Sequence, residues 1–151
     1  MSKSNTFENE LLAHIFQNAN IANIGDAAGL RGSVAAGSIY ASLHTADPGE
    51  AGTAATNEIA YTGYARRPIA RSAAGFTVTG NTVTQVNDVD FPKSTGGASS
   101  TATHFAYVKE ISGASVVLYK GALTPTILIQ PGVTPRLEGT PSGTSTSVTE
   151  D

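Results

Sequence analysis

Three histidines and a handful of closely spaced carboxylates are the side chains through which this chain could do chemistry. His14, His44 and His104 are far apart in sequence and form no His-x-His or His-Glu-x-x-His pattern. A zinc site needs three or four ligands that converge, so the pattern gives no metal site. His14 follows Glu10 by one helical turn, a spacing that suits a solvated side-chain pair better than a pair of ligands. A Ser-His-Asp triad can be imagined in any chain this rich in serine. No Gly-x-Ser-x-Gly elbow is present, however, to hold a serine out as a nucleophile. A structural role is expected for each histidine.

The carboxylates Asp47, Glu50, Asp88 and Asp90 could bind calcium or act as the pair of a glycosidase. In Asp88-Val89-Asp90 the two acids share one face of a strand, because side chains two apart point the same way. The simpler expectation is a solvated outer face with Val89 buried between them. Asp47, beside Pro48-Gly49, is best explained as a turn former. The glycine-rich run from Gly25 to Gly37 lacks the Lys-Ser/Thr ending of a phosphate loop, and no strand leads into it. Arg66, Arg67 and Arg71 make the one local basic patch, suited either to an acidic surface on a partner subunit or to a solvated strand face. With no cysteine, disulfides, thiolate nucleophiles and thiolate metal sites are excluded. The expectation is therefore no enzyme, with no catalytic residue, metal or cofactor.

The elements that position these residues begin with one helix. Ser4 or Asn5 can cap it, with Glu8 in a capping-box relation to Asn5, and Phe7, Leu11, Leu12, Ile15 and Phe16 recur at helical spacing. The helix should fade over 17–20, where Asn18 and Asn20 are poor helix formers. Residues 21–37 are small and glycine-rich and read as an irregular connection or extended arm. So long a connection is unusual inside a compact domain. It suggests that the helix docks away from its own core, on a neighbouring subunit, through Phe7, Leu11, Leu12, Ile15 and Phe16.

From Ser38 the period changes to two. Strands are predicted over 38–44, 65–70, 76–79, 82–86, 89–91, 103–108, 115–119, 126–129 and 134–137, with a β-prone closing run over 144–149. Pro68 places its strand at an edge or bulge. The clearest hairpin is Phe76-Thr77-Val78-Thr79 against Thr82-Val83-Thr84-Gln85-Val86 around Gly80-Asn81. Runs 50–57 and 93–100 read as surface loops. About eight short strands at this spacing fit an all-β class, a β-sandwich or jelly-roll-like domain over 38–151, preceded by the helix and arm over 1–37.

Composition agrees. The charged share is only 14% and the hydrophobic share 40%, with small and β-branched residues filling the difference. A net charge of −3 gives no reason to expect nucleic acid as the partner. No apolar stretch suits a membrane span, and Glu8 and Glu10 fall where a signal peptide's apolar run would lie. Synthesis in the cytoplasm without a signal peptide is expected.

Several phrases in order carry a resemblance. Tyr40-Ala41-Ser42-Leu43-His44-Thr45-Ala46-Asp47-Pro48-Gly49-Glu50 is followed by Gly63-Tyr64-Ala65-Arg66, Asp90-Phe91-Pro92 and Thr103-His104-Phe105. Leu118-Tyr119-Lys120-Gly121-Ala122-Leu123 and a terminal Val148-Thr149-Glu150-Asp151 complete the set, and Phe7-Glu8-Asn9-Glu10-Leu11-Leu12 opens it. Together they resemble a family of small tailed-bacteriophage structural proteins labelled head decoration or tail fibre proteins. The resemblance implies a β-sandwich virion component without catalytic residues.

On this basis the leading expectation is a capsid decoration or cement protein on the particle surface. It would contact other virion proteins, major capsid or tail, through the helix stripe and through Arg66 and Arg67. Symmetric self-association is expected, a trimer being one such form. The alternative is a tail fibre or tail-tip module that binds a host receptor or glycan through loops 50–57 and 93–100, with Tyr61 and Tyr64 as aromatic contacts. A polysaccharide hydrolase using Asp88 or Asp90 ranks third.

Overall fold

Local chemistry sets both ends of the helix. The computed structural model describes residues 2–139 and, as backbone alone, residues 147–149. Helix α1 spans Asn5–Gln17, and the Ser4 hydroxyl caps it by accepting the Phe7 backbone N–H at 3.3 Å. Ser4 rather than Asn5 is therefore the cap. That puts Glu8 one residue beyond the position a capping box requires. The helix ends where expected: Asn18 takes a left-handed backbone at φ 60°, which asparagine tolerates better than most residues.

The strands are β1 Ser38–His44, β2 Arg67–Ala70, β3 Phe76–Thr79, β4 Thr82–Gln85, β5 Val89–Asp90, β6 Ser100–Val108, β7 Val117–Ile129, β8 Arg136–Leu137 and β9 Ser147–Thr149. They form sheets in the orders β2-β1-β6-β7, β3-β4-β9 and β5-β8, with every pairing antiparallel. The class is all-β with one amino-terminal helix, as expected. Of the β-prone closing run, residues 147–149 pair with β4, while residues 144–146 lie outside the described residues, as do Glu150 and Asp151. Pro68 lies on β2, an edge strand, where its missing N–H breaks no ladder bond. The predicted hairpin forms as β3 and β4, with Gly80 at φ 62° in its turn.

Two strands expected separately, over 115–119 and 126–129, are one strand, β7. Its pairing with β6 slips: Ala102 faces Ile127 but His104 faces Ala122, so residues 123–126 bulge opposite Thr103. Proline at 125 falls inside this unpaired stretch, and β7 is itself an edge. Residues 120–125 fall outside both predicted runs, whereas the structure continues the strand through them and bulges it.

Alternation gives the main sheet two working faces. On β1, Ile39, Ala41 and Leu43 face one way and join Phe105 and Tyr107 of β6 in the main core. Phe76 and Val83 come from the facing hairpin, Val89 and Leu137 from the two-stranded sheet, and Leu12 and Phe16 from α1. Phe16 is fully buried, with ring centroids 4.9 Å from Phe76 and 5.7 Å from Tyr107. Gln17 Nε2 donates to the Phe76 carbonyl at 2.8 Å, tying helix to hairpin. Fully burying an aromatic or aliphatic side chain contributes roughly 1.5–3 kcal/mol. Leu12 and Phe16 therefore favour docking within their own chain, and the expected placement of the helix on a neighbour gives way to this contact.

The glycine-rich segment is likewise folded back rather than extended. Ile21 and Leu30 exchange backbone hydrogen bonds at 2.9 and 2.8 Å, and Asn18 grips Ser33 through its N–H and its carbonyl. Gly29, at φ 61°, leaves room for the Ile21 carbonyl, which an added Cβ would meet at 1.9 Å. Close backbone approach, not freedom of movement, explains that glycine.

Candidate functional site

The second face of the main sheet carries the densest polar chemistry. Tyr40, Ser42 and His44 point there from β1, opposite Val108, Ala106 and His104 of β6. Residues 50–57 form a surface loop, as expected, with Glu50, Ala51, Ala55 and Asn57 exposed, but the loop also covers this face: Ala54 is fully buried against Ala106 and Val108, and its N–H donates to the Ser115 carbonyl at 2.8 Å. Beneath this cover the Ser42 hydroxyl lies 2.8 Å from His44 Nε2, and His44 Nδ1 lies 2.9 Å from the Thr56 carbonyl. A carbonyl can only accept, so Nδ1 carries the hydrogen, and the serine hydroxyl proton is shared between Nε2 and the Ala106 carbonyl at 3.2 Å. Burial holds the His44 pKa below its ordinary value, which favours this neutral form. The distance is that of a nucleophile and its base, yet both side chains are fully buried.

Beside this pair sits an ion pair. Arg66 Nε and Nη2 donate to the two oxygens of Glu58 at 2.6 and 2.7 Å, and the guanidinium also reaches the carbonyls of Glu110 and Gly113. Tyr64 donates its hydroxyl to Glu58 at 2.9 Å and accepts the Leu43 N–H at 3.1 Å. Hydrogen bonding to Glu58 raises the Arg66 pKa in spite of burial, and burial raises that of Tyr64. This arrangement clamps the β6–β7 turn onto residues 58–66. Glu58 belongs to no motif in the sequence. The signal for it is indirect: Arg66 and Arg67 are adjacent on an extended segment, so one of them must turn inward and needs a buried acid.

The other expected site residues are placed as follows. Phe7, Leu11 and Ile15 are half-buried and Arg67 is exposed, so these four retain surface for a partner, whereas Leu12, Phe16 and Arg66 are enclosed within the chain. Arg71 is separated from the other two arginines, at the end of α1. Asp88 and Asp90 do share a face with Val89 buried between them, but Arg136 bridges them, at 2.9 Å to Asp88 and 2.6 and 3.0 Å to Asp90. Hydrogen bonds from Arg136 hold the Asp90 carboxyl below its usual range, so the pair has an internal counter-ion. Tyr61 is buried, donates to the Pro92 carbonyl at 2.8 Å, and is pushed up to about 12 by burial. With Tyr64 also tied inward, neither tyrosine is the exposed platform expected of a sugar site. Among the described residues no group of three or more His, Cys, Asp or Glu side chains is placed to hold a metal ion, and no helix is long and apolar enough to cross a membrane.

The model of a family described as podophage GP4 fiber I protein gp80 matches residues 2–140, nearly the whole chain, and the chain therefore belongs to that family. No curated protein matches it.

Proposed function

We propose that this member of the podophage fibre family is a non-catalytic module of the virion's tail fibre, and not a decoration protein of its head. Membership in a fibre family makes the chain a tailed-phage structural protein; the family match over residues 2–140 is the observation that carries the finer reading. The geometry agrees with it. The serine–histidine pair is enclosed, Arg136 bridges the paired aspartates, and the Arg66–Glu58 ion pair ties the β6–β7 turn to residues 58–66. A protein of this kind works through contact surfaces. Association with other virion proteins and with further copies of itself, a trimer included, belongs to the proposal.

Any receptor contact would use exposed loop residues such as 97–99 rather than Tyr61 or Tyr64. Immunogold labelling of intact particles tests the assignment: gold on the tail is expected, and gold spread over the head would overturn it. Purified protein should also slow adsorption of phage to its host if the module meets the receptor directly.

A further inference from the structure

We infer that the cleft between the end of α1 and the first residues of β1 and β7 is a docking site for an acidic, aliphatic peptide segment of a neighbouring virion subunit. The inference rests on the fibre-module reading for the identity of the neighbour and on the geometry of the cleft for the chemistry. The cleft has a volume of about 370 Å³, within the range of roughly 300–1,000 Å³ for specific ligand sites. Ile15, Ile39 and Leu118 form its apolar walls, and His14, Ser38, Arg71 and Lys109 supply its polar lining.

Charge complementarity decides the ligand. Arg71 directs its guanidinium at neutral groups only: the His14 and Ile15 carbonyls, the Asn18 side-chain oxygen and the Ser33 hydroxyl. Lys109 has no ion pair or side-chain hydrogen bond among the described residues. Its sequence neighbour Glu110 exerts its charge on Arg66 instead. The end of α1 contributes about half a negative charge, less than the two cations carry together. Elsewhere the chain supplies its own acids to clustered cations: Glu58 to Arg66, Asp47 and Glu50 to Lys120, Asp88 and Asp90 to Arg136. Among the described residues none supplies an acid to this cleft. A carboxylate from outside completes the pattern.

The walls select the rest of the ligand. Among the described residues no Phe, Tyr or Trp ring lines the cleft, so a sugar ring lacks the broad stacking platform that such rings provide, whereas aliphatic walls suit a leucine, isoleucine or valine side chain beside the acid. A peptide that alternates such residues with Asp or Glu presents both.

Fluorescence anisotropy on the full chain tests this with a labelled tetrapeptide, leucine-glutamate-isoleucine-aspartate. Its glutamine–asparagine counterpart and sodium glucuronate serve as comparisons. Saturable binding of the acidic peptide is expected, with about a tenfold loss on Lys109→Glu and a further loss as salt rises to roughly 0.5 M. Lys93→Glu, which reverses an exposed lysine outside the cleft, should leave binding unchanged and controls for net charge. Equal binding of the neutral peptide, indifference to Lys109→Glu, equal loss with Lys93→Glu, or no binding at millimolar peptide would each overturn the proposal. Lys109-dependent binding of glucuronate without the peptide would assign the cleft to an anionic sugar and overturn it too. None of these results moves gold from tail to head in micrographs, so the fibre assignment stands or falls separately.

Discussion

Truncating Phe16 to alanine is expected to destabilise the chain by about 3–5 kcal/mol, the usual range for removing an enclosed phenylalanine ring. The ring is fully buried and touches three others, Phe76 at 4.9 Å, Tyr107 at 5.7 Å and Tyr119 at 5.2 Å. Alanine would leave those three facing a void and would remove the edge-to-face packing that Phe16 makes with Phe76 and Tyr107. Against a total stability of roughly 5–15 kcal/mol, the change is a large fraction. With a urea slope of about 2 kcal/mol per molar, a 4 kcal/mol loss lowers the unfolding midpoint by about 2 M. Phe7, half-buried and outside the core cluster, is the internal control: its alanine variant should shift the midpoint by less than about 0.5 M. Far-ultraviolet dichroism at two protein concentrations provides the assay. A helix docked on a neighbouring subunit would make the two losses similar and dependent on concentration. A shift below about 0.5 M for Phe16→Ala, or a stably folded fragment of residues 38–151, would refute the reasoning that the helix belongs to its own core.

Four further outcomes follow from the same structure. Arg66→Ala should cost about 3–5 kcal/mol, because it strands Glu58 in a largely buried position, and Glu58→Gln combined with Arg66→Met should recover part of that loss in a double-mutant cycle. His44, with its pKa lowered by burial, is neutral in the folded chain, so below the ordinary value of 6.5 the unfolded chain takes up a proton that the folded one refuses. Urea midpoints should therefore fall as pH drops from 6.5 toward the folded pKa, and His44→Gln should flatten that leg of the profile. Gly29→Ala should abolish hydrogen-exchange protection at the Leu30 amide while leaving the global midpoint nearly unchanged, since the clash with the Ile21 carbonyl is confined to the folded-back loop. Millimolar calcium should leave the melting temperature unaltered, because Arg136 already occupies the carboxylates of Asp88 and Asp90; a calcium-dependent rise would show that the ion displaces it.

Elements whose signal is local are legible in the sequence. β1 forms at its predicted limits because alternating side chains run from Ser38 to His44 and a turn signal follows at Asp47. The β3–β4 hairpin depends on Gly80-Asn81 and on β-branched neighbours, all within a ten-residue window. Longer-range facts are not readable. Glycine at positions 29 and 32 looks like a flexible arm until the Ile21 and Asn18 carbonyls are found where a Cβ would sit. Composition records that a side chain is missing but not what occupies its space. The continuity of β7 through residues 120–125 is missed because it depends on pairing with β6, which also sets the bulge opposite Thr103. The acidic partner of Arg66 lies eight residues away on a segment with no strand periodicity, so it emerges only once residues 57–59 run beside the end of β1.

The same distinction governs the reading of Ser42 and His44. Their 2.8 Å separation meets the distance test for a nucleophile and a base. A reaction also needs a substrate atom within about 3 Å of the serine oxygen, and hence a path to it. Here the path is closed by the loop over 51–57. It is held by the Ala54 N–H on the Ser115 carbonyl and by the Thr45 N–H on the Asn57 carbonyl, both at 2.8 Å. Opening it would break those bonds and expose Ala54, Ala106 and Val108 to water, while leaving His44 without its Thr56 acceptor. The pair is fully accounted for by a more general requirement, that polar groups placed on a covered sheet face must satisfy one another. Strand alternation puts Ser42 and His44 on that face, and the loop covers it. The hydrogen bond between them is then what burial demands, and access, rather than distance, separates such a pair from a catalytic one.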